Sequence, residues 1–343
     1  MAIINKFNKG YKVWDINERE YSVLGSLEDK IKFLLNFAIL APSSHNTEPW
    51  KFKINKNELE ISADFSKYLP ESDKDKRMIY VSLGCAAANI LISAGYFGLG
   101  CEIIYSAENG VKIIFAENAA CANVEANLFK EIKNRRTNRN FYKKENIPEK
   151  YLSEFKNYNN HLEINVDFVL DKNLKAEIAE IMGQGMKKIM SQKPFRRELA
   201  DWLRTNLTLK HDGMPGNGHK MNLFTSILAP HILRNIDVSE VEKQKAVKRV
   251  LNFPALGIIS SKEDNAINFI YAGEVFEKIT LAVKLCEMDT AIMVAIIEDA
   301  ESRMKLQKIL NISYLPQMFF GFGYAEKPAP KSPRRKLKKF LLC

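Results

Sequence analysis

A polar segment at residues 40–54, LAPSSHNTEPWKFKI, lies between a predicted helix and a predicted strand. Ser43, Ser44 and His45 are residue types used in nucleophilic catalysis, where a histidine takes the proton of a serine hydroxyl. No G-x-S-x-G turn surrounds these serines, and the sequence identifies no acidic partner for His45. A hydrolase is therefore weakly supported, and the polar segment needs another explanation.

A second polar cluster, RRTNR at residues 135–139, combines three guanidinium groups with one hydroxyl and one amide. Guanidinium groups match the geometry of phosphate oxygens, and a nearby Thr or Asn can hold ligand hydroxyls. A charged helix end on the protein surface has the same composition. Both interpretations remain open from the motif alone.

The sequence lacks the motifs of several other kinds of binding site. The chain has no G-x-G-x-x-G segment and no Walker loop, so neither a Rossmann dinucleotide site nor a P-loop is supported. The five histidines lack H-x-x-x-H spacing, which predicts no metal site. The five cysteines are odd in number and lack C-x-x-C spacing. This pattern favours reduced thiols in a cytoplasmic protein without a signal peptide.

Charge and hydropathy argue against nucleic acid and membrane as partners. The net charge is +10, but the segment from residue 327 onward holds seven basic residues and no acid, and the rest of the chain carries only +3. That basic tail is either solvated or binds a phosphate group. The most apolar window, residues 86–105, contains Asn89, Ser93, Glu102 and three glycines, which favours a buried helix, a turn and a strand.

Apolar periodicity and turn residues predict alternating helices and strands along the whole chain. The predicted helices are residues 27–40, 78–99, 128–135, 150–158, 176–190, 194–206, 272–288 and 301–310. The predicted strands are residues 51–54, 58–62, 102–105, 111–115, 254–260, 290–297 and 318–324. Residues 211–222, HDGMPGNGHKMN, are predicted to form a loop rich in Gly and Pro.

Two of the predicted helices match each other when Gly84 is aligned with Gly273. Apolar residues then coincide along both helices, as in Ile90 over Ile279, and a strand is predicted after each. Two amphipathic helices can also match by chance. On this pattern alone, an internal duplication and a coincidence remain open.

Taken together, these segments resemble the nitroreductase superfamily of FMN-dependent oxidoreductases, and more narrowly its Acg-type members. The matching segments are residues 41–52, 84–100, 135–141, 212–215 and 316–335, and Glu48 stands where the family commonly has glutamine. The resemblance implies an α+β, nitroreductase-like fold with two related halves, residues 1–125 and 126–343. Each half would have a β-sheet flanked by helices, and the halves would pair as an intramolecular pseudo-dimer.

The resemblance also implies a binding site for FMN, with no catalytic side chain because the flavin carries the chemistry. Pro42, Ser43, Ser44 and Asn46 would line the flavin ring. The phosphate and ribityl end would be held by Arg135, Arg136, Thr137 and Arg139, with Arg334 and Arg335 as a second phosphate contact. The second half has no good copy of the Pro-Ser-Ser loop, the nearest candidate being residues 228–235. The resemblance therefore implies one complete flavin site and one degenerate site.

The implied activity is ping-pong hydride transfer from NAD(P)H through the flavin N5 to a nitro compound, a quinone or a similar small-molecule acceptor. The alternative is a protein that stores or sequesters FMN under a lid with little turnover. Residues 211–222 are the candidate lid, with Met214 and Met221 as the side chains that would cover the ring. The chain would be a monomeric pseudo-dimer or a homodimer.

Overall fold

The computed structural model describes residues 10–23, 25–108, 110–117 and 125–342. Its first half contains a four-stranded antiparallel sheet with the strand order β1-β2-β4-β3. The strands are β1 (Trp50–Asn55), β2 (Glu58–Ala63), β3 (Gly100–Ser106) and β4 (Gly110–Ala116). In β1, Trp50 and Phe52 are buried while Lys53 is exposed, as the alternation of the sequence predicts.

The second half contains a sheet with the same topology. Its order is β5-β8-β10-β9, and all three strand pairs are antiparallel. The strands are β5 (Ile164–Val169), β8 (Ala255–Ser261), β9 (Asp289–Ile292) and β10 (Leu315–Gly323). In both sheets a long helix connects the second strand of the order to the strand at the far edge. The structure is therefore α+β, with two antiparallel sheets flanked by helices.

The two long helices that follow β2 and β8 form the centre of the molecule. We call Arg77–Tyr96 the first central helix and Ala266–Leu285 the second central helix. The alignment of Gly84 with Gly273 also aligns both ends of these two helices. The first central helix is long and apolar enough to cross a membrane by length and composition alone, but 89% of its most apolar window is buried inside the protein. It is a core helix, as predicted.

The other described helices surround this centre or form an insertion in the second half. They are Leu27–Ala38, Phe129–Ile132, Glu149–Lys156, Lys172–Ser191, Lys193–Trp202, Leu223–Asn235, Ser239–Asn252, Ala295–Glu298 and Ala300–Ile309. Those from 172 to 252, with the short parallel pair β6 (Leu203–Arg204) and β7 (Met214–Pro215), lie between β5 and β8 in sequence. We call residues 193–252 the cap segment.

Four elements differ from the sequence prediction. The strand predicted at 290–297 ends at Ile292, and the chain continues into the helix Ala295–Glu298. The helices Leu223–Asn235 and Ser239–Asn252 and strand β5 were not predicted. Residues 228–235 belong to the first of these helices, so they do not form a second Pro-Ser-Ser loop. The apolar run at residues 290–297 is short enough to form either a strand or a helix, and its packing in the folded protein determines which one forms.

The C-terminal tail packs on the first sheet through Phe340, while Lys336, Lys338 and Lys339 are exposed. The backbone N–H of Phe52 donates to Phe340 O at 2.8 Å, and that of Leu342 donates to Phe52 O at 2.8 Å. The ring of Phe340 is fully buried against Trp50 and Phe52. The end of the chain therefore leaves the second sheet and pairs alongside β1 of the first sheet.

The cysteines differ from the expectation in one position. Cys85 and Cys286 are free thiols, but Cys101 is disulfide-bonded. Cys121 and Cys343 lie outside the described residues. The expectation of reduced thiols is therefore wrong at Cys101.

Candidate functional site

A cavity of about 650 Å³ lies between the loop at residues 42–46, the RRTNR segment, the central helices and the cap segment. Of the twelve site and lid residues predicted from the sequence, eleven line this cavity. They are Pro42, Ser43, Ser44, Asn46, Arg135, Arg136, Thr137, Arg139, Met214, Met221 and Arg334. Arg335 is the exception. The structure therefore brings together segments that are separated by up to 292 positions in the sequence, from Pro42 to Arg334.

The Pro-Ser-Ser loop has an unusual backbone. Ser44–Asn46 form a single 3-10 turn, and His45, Asn46 and Glu48 have φ angles of 49°, 55° and 53°. Left-handed conformations are uncommon for residues with side chains and cost of order 1–3 kcal/mol where they are strained. The hydroxyl of Ser43 stabilises this path by accepting the N–H of Glu48 at 2.9 Å. Ser43 thus has a structural partner within the loop.

Asn46 connects the loop to the candidate lid and to the tail. Its side-chain amide donates to Gly213 O and to Pro333 O, both at 3.0 Å. In return, the backbone N–H of Gly213 donates to Asn46 O at 3.1 Å, and Arg334 donates to Asn46 Oδ1. Two of these four hydrogen bonds hold residue 213, within the candidate lid, against the Pro-Ser-Ser loop, and the other two hold the tail there.

Glu48 binds the arginines of the tail. It is fully buried, and one carboxylate oxygen accepts from Arg335 Nε at 2.8 Å while both accept the Arg335 backbone N–H at 3.2 Å. Burial raises the pKa of Glu48 to about 7, against the opposing effect of Arg334 and Arg335. The guanidinium group of Arg335 also donates to Thr47 O at 2.9 Å. Arg335 therefore anchors the tail, outside the cavity.

The RRTNR segment is held at the edge of the second sheet. Thr137 forms a parallel bridge with Thr290 of β9, and the N–H of Asn138 donates to Thr290 O at 2.8 Å. The side chain of Asn138 donates to Asp289 at 3.0 Å and to Lys327 O at 2.8 Å. These contacts orient the three arginines of the segment toward the cavity.

Arg135, Arg136 and Arg334 form one cationic group around Trp14. The guanidinium of Arg136 lies 3.8 Å from the centre of the Trp14 ring, and that of Arg334 lies at 5.3 Å. Burial lowers the pKa of Arg136 to about 9, with further lowering by Arg135 and Arg334. Arg135 forms an ion pair with the buried Glu277 at 3.3 Å. The three cations are only partly compensated by acids, which favours an anionic ligand at this end of the cavity.

Arg139 forms a second cationic group with Arg249, which the sequence analysis did not select. Within the described part of the chain, neither guanidinium has a hydrogen bond. Burial lowers the pKa of Arg139 to about 10, and Arg249 lowers it further. Burial, together with Arg139, lowers the pKa of His45 to about 4. His45 is therefore neutral at pH 7 and a weaker base than an ordinary histidine.

The remaining wall of the cavity is apolar and rich in methionine, and the sequence analysis did not identify it. The helices Lys172–Ser191 and Lys193–Trp202 contribute most of it. Two carboxyl groups line the cavity, those of Glu298 and Glu242, and Glu242 pairs with Lys245 at 2.7 Å. Its residues include Met186, Ile189, Met190, Phe195, Leu199 and Met293. Among the residues that the structure describes, no three His, Cys, Asp or Glu side chains cluster as a metal site would need.

The equivalent region on the opposite side of the central helices is filled by side chains. Ser82 and Cys85 of the first central helix line the cavity, and their aligned partners are Tyr271 and Glu274. The ring of His161 stacks on Tyr271 at 3.9 Å. Tyr105 donates a hydrogen bond to Glu274, and Lys278 pairs with Glu274 at 3.0 Å. Burial alone would raise the pKa of Glu274, but Lys278 and His161 lower it to about 2.

Comparison with known proteins gives relatives by sequence, and no family model matches the chain. Two sequences from strains of Mycobacterium tuberculosis, named provisionally as NAD(P)H nitroreductases, are each 21% identical over 324 residues. The alignment covers 90% of this chain and 90% of each relative.

Solved structures show a more limited likeness. The FMN-dependent nitroreductase NfnB from Mycobacterium smegmatis in complex with NADPH is 16% identical, with a TM-score of 0.42 over 62% of this chain and 96% of its own. Iodotyrosine deiodinase bound to FMN and 3-iodo-L-tyrosine is 17% identical, with a TM-score of 0.39 over 61% and 95%. TM-scores near 0.4 do not establish a shared overall fold. The sequence relatives, which span nine tenths of the chain, support the resemblance to the nitroreductase superfamily.

Proposed function

We propose that this protein is an FMN-dependent NAD(P)H oxidoreductase of the nitroreductase superfamily. The observation that carries the proposal is that one cavity is lined by both the Pro-Ser-Ser loop and the RRTNR segment. Its volume of about 650 Å³ is within the range of small-molecule and cofactor sites. The likeness to relatives named as NAD(P)H nitroreductases supports NADH or NADPH as the electron donor. A cytoplasmic location remains a prediction from the sequence.

The residues of the cavity fit a flavin phosphate. Arg139 and Arg249 have no hydrogen bond within the described residues, and the buried His45 Nδ1 has none either. Buried polar groups without partners are uncommon, so this end of the cavity is suited to a polar, negatively charged ligand. The excess of guanidinium groups over carboxylates gives the same indication.

Residues of this chain would bind and orient the cofactor. Arg135, Arg136, Arg139 and Arg334, with the hydroxyl of Thr137, would hold the phosphate and ribityl end, and the loop at residues 42–46 would lie along the ring. When bound, FMN would supply hydride-transfer chemistry between NAD(P)H and a nitro compound, quinone or similar acceptor. The apolar side chains of the cap segment, including Met214, would exclude water from the reacting groups.

We also propose that the two halves, 1–125 and 126–343, form an intramolecular pseudo-dimer with one flavin site. Three observations support this proposal. The two sheets have the same strand order, the central helices align end to end, and the region equivalent to the cavity is filled by the Tyr271–Glu274 cluster. The tail also joins the two halves, because residues 340–342 of the second half pair with β1 of the first sheet.

The alternative function, storage of FMN with little turnover, also has a supporting observation. The hydrogen bonds between Asn46 and Gly213 hold the candidate lid closed over the cavity. A lid that opens rarely would retain the flavin and exclude a substrate. The two functions share the same bound cofactor and differ in access to it.

A visible spectrum with anaerobic addition of NADPH or NADH separates these functions. An oxidoreductase would show a bound flavin that bleaches rapidly and is reoxidised by a nitroaromatic compound or a quinone. A bound flavin that neither nucleotide bleaches would favour storage. Failure to bind flavin, even after FMN is added to the purified protein, would exclude both.

A further inference from the structure

Two carboxyl groups line the cavity, and they differ in their partners among the described residues: Glu242 pairs with Lys245 at 2.7 Å, whereas Glu298 has no ion pair. Glu298 ends the short helix Ala295–Glu298, which packs against the helix Lys172–Ser191. Neighbouring side chains of this wall, among them Ile189, Met190, Phe195 and Met293, belong to one apolar core cluster. Glu298 is partly exposed, and it lines the cavity. A carboxyl group at this position is therefore a polar contact for a ligand in otherwise apolar surroundings.

The neighbouring acids are already engaged with other groups. Asp73 accepts the backbone N–H groups of Met78 and Ile79 at 2.8 and 3.1 Å, at the start of the first central helix. Glu198 accepts the N–H groups of Glu71 and Ser72 at 3.0 and 2.9 Å. Burial nevertheless raises the pKa of Asp73 to about 7, against the effect of its two hydrogen bonds.

The nearest cation is engaged as well. Arg77 pairs with Asp75 and donates to Ile297 O at 3.1 Å. Within the described residues, the carboxyl group of Glu298 has no hydrogen bond and no ion pair. The group lacks a cation that would stabilise its charge, so the protonated form is favoured.

Burial and three neighbouring acids raise the pKa of Glu298, and Arg77 lowers it. The acids are Asp73, Glu198 and Asp75, and the resulting pKa is about 8. The charge of the adjacent Asp299 is compensated by an ion pair with Lys188 at 2.9 Å. At pH 7 Glu298 is therefore mainly a neutral hydrogen-bond donor.

We propose that the protonated carboxyl group of Glu298 donates a hydrogen bond to a carbonyl or nitro oxygen of an uncharged aromatic acceptor bound at the apolar end of the cavity. The apolar wall would bind the ring, and the carboxyl O–H would fix its orientation. An ionised carboxylate offers no donor and repels an oxygen acceptor. This inference rests on the proposed function for the reaction, but the binding step itself needs no turnover.

The test is the affinity for the uncharged quinone menadione as a function of pH, measured without nicotinamide nucleotide. Binding to the purified protein is followed by quenching of tryptophan fluorescence between pH 6 and pH 9. We expect the affinity of the wild-type protein to fall about tenfold over this range, as the carboxyl group loses its proton. Glu298→Gln keeps a donor that does not titrate, so its affinity should stay constant with pH.

Two further variants complete the test. Glu298→Leu should bind menadione weakly at every pH, although its melting temperature shows that it is folded. The matched control is Glu301→Gln, a surface carboxylate that pairs with Lys305 at 2.7 Å and should keep the wild-type pH profile.

Three results would overturn the proposal: no binding of menadione, a wild-type affinity that does not change with pH, or wild-type affinity in Glu298→Leu. A protein that binds FMN but shows no pH dependence for menadione would contradict only this inference. Failure to bind FMN would contradict the proposed function, whether or not menadione binds.

Discussion

Where the two central helices cross, Gly84 packs against the second central helix and Gly273 packs against the first. A Cβ atom on Gly84 would lie 2.0 Å from the carbonyl oxygen of Ile270, and a Cβ on Gly273 would lie 2.0 Å from that of Val81. Ile270 and Val81 each stand three positions before the opposing glycine. The contact is therefore reciprocal, as at an interface with two-fold symmetry.

This close approach predicts that Gly273→Ala destabilises the protein strongly. The added methyl group meets main-chain atoms, which cannot move without separating the helices, and we expect a loss of more than about 3 kcal/mol in the free energy of unfolding. Urea denaturation measures this loss. Gly25→Ala is the control, because nothing lies within 4 Å of its Cβ position. Equal stability of Gly273→Ala and the wild type would disprove the close crossing.

Arg139 and Arg335 are predicted to have opposite effects when replaced by alanine. Arg139 lines the cavity without a hydrogen bond in the described residues, so Arg139→Ala should weaken FMN binding roughly 10- to 100-fold, the worth of one charge-assisted hydrogen bond. Its melting temperature should not fall, since the variant loses a buried, uncompensated charge. Fluorescence titration with FMN and thermal unfolding check both expectations.

Arg335→Ala is the counterpart, because Arg335 pairs with Glu48 outside the cavity. Removal of the cation leaves a buried carboxyl group without its main partner, which should cost about 2–4 kcal/mol of stability. The folded protein should bind FMN with nearly the wild-type affinity. A large loss of FMN affinity in Arg335→Ala, with unchanged stability, would indicate that Arg335 binds the phosphate rather than anchoring the tail.

Asn46→Ala is predicted to open the candidate lid. The variant loses the side-chain hydrogen bonds to Gly213 and Pro333 and the acceptor of Arg334. We expect faster amide hydrogen exchange in residues 211–222 and dissociation of FMN at least about five times faster. Asn36→Ala is the control, since Asn36 bonds to Phe33 O within its own helix. Unchanged exchange in residues 211–222 would show that Asn46 does not hold the lid.

Glu298→Gln is predicted to gain stability relative to the wild type as pH rises. The pKa of Glu298 is raised from 4.5 to about 8 in the folded protein, so the unfolded chain loses this proton first. Wild-type stability therefore falls between about pH 4.5 and pH 8, and the glutamine variant lacks this loss. Thermal unfolding at pH 5 and pH 9 should show a relative gain of about 1–3 kcal/mol at pH 9. A constant difference across this range would contradict a protonated Glu298.

The two motifs in the cavity were predictable because each is local in sequence. Residues 42–46 and 135–139 carry their turn chemistry and charges within five positions, and their types alone limit the ligand. The internal alignment at Gly84 and Gly273 was visible for the same reason, since helical periodicity and a glycine at the same place in both helices leave a pattern in the sequence.

Arg249 and Glu298 were missed because packing, rather than local pattern, brings them to the cavity. Arg249 lies in the polar helix Ser239–Asn252, where the only signal was a run of basic residues. Glu298 follows an apolar run that the sequence favours as a strand, but the chain turns after Met293, whose N–H donates to Phe319 O at 3.0 Å. The role of Glu48 depends on Arg335, 287 positions further along the chain.

The stoichiometry of FMN binding tests the central claim most directly. The purified protein is titrated with FMN at a protein concentration well above the dissociation constant, and the protein-bound flavin is counted from its visible absorbance. The account predicts one FMN per 343-residue chain, since the cavity is lined by both motifs and the equivalent region is filled by Tyr271 and Glu274. Two FMN molecules per chain would contradict the single site, and none would contradict the cofactor itself.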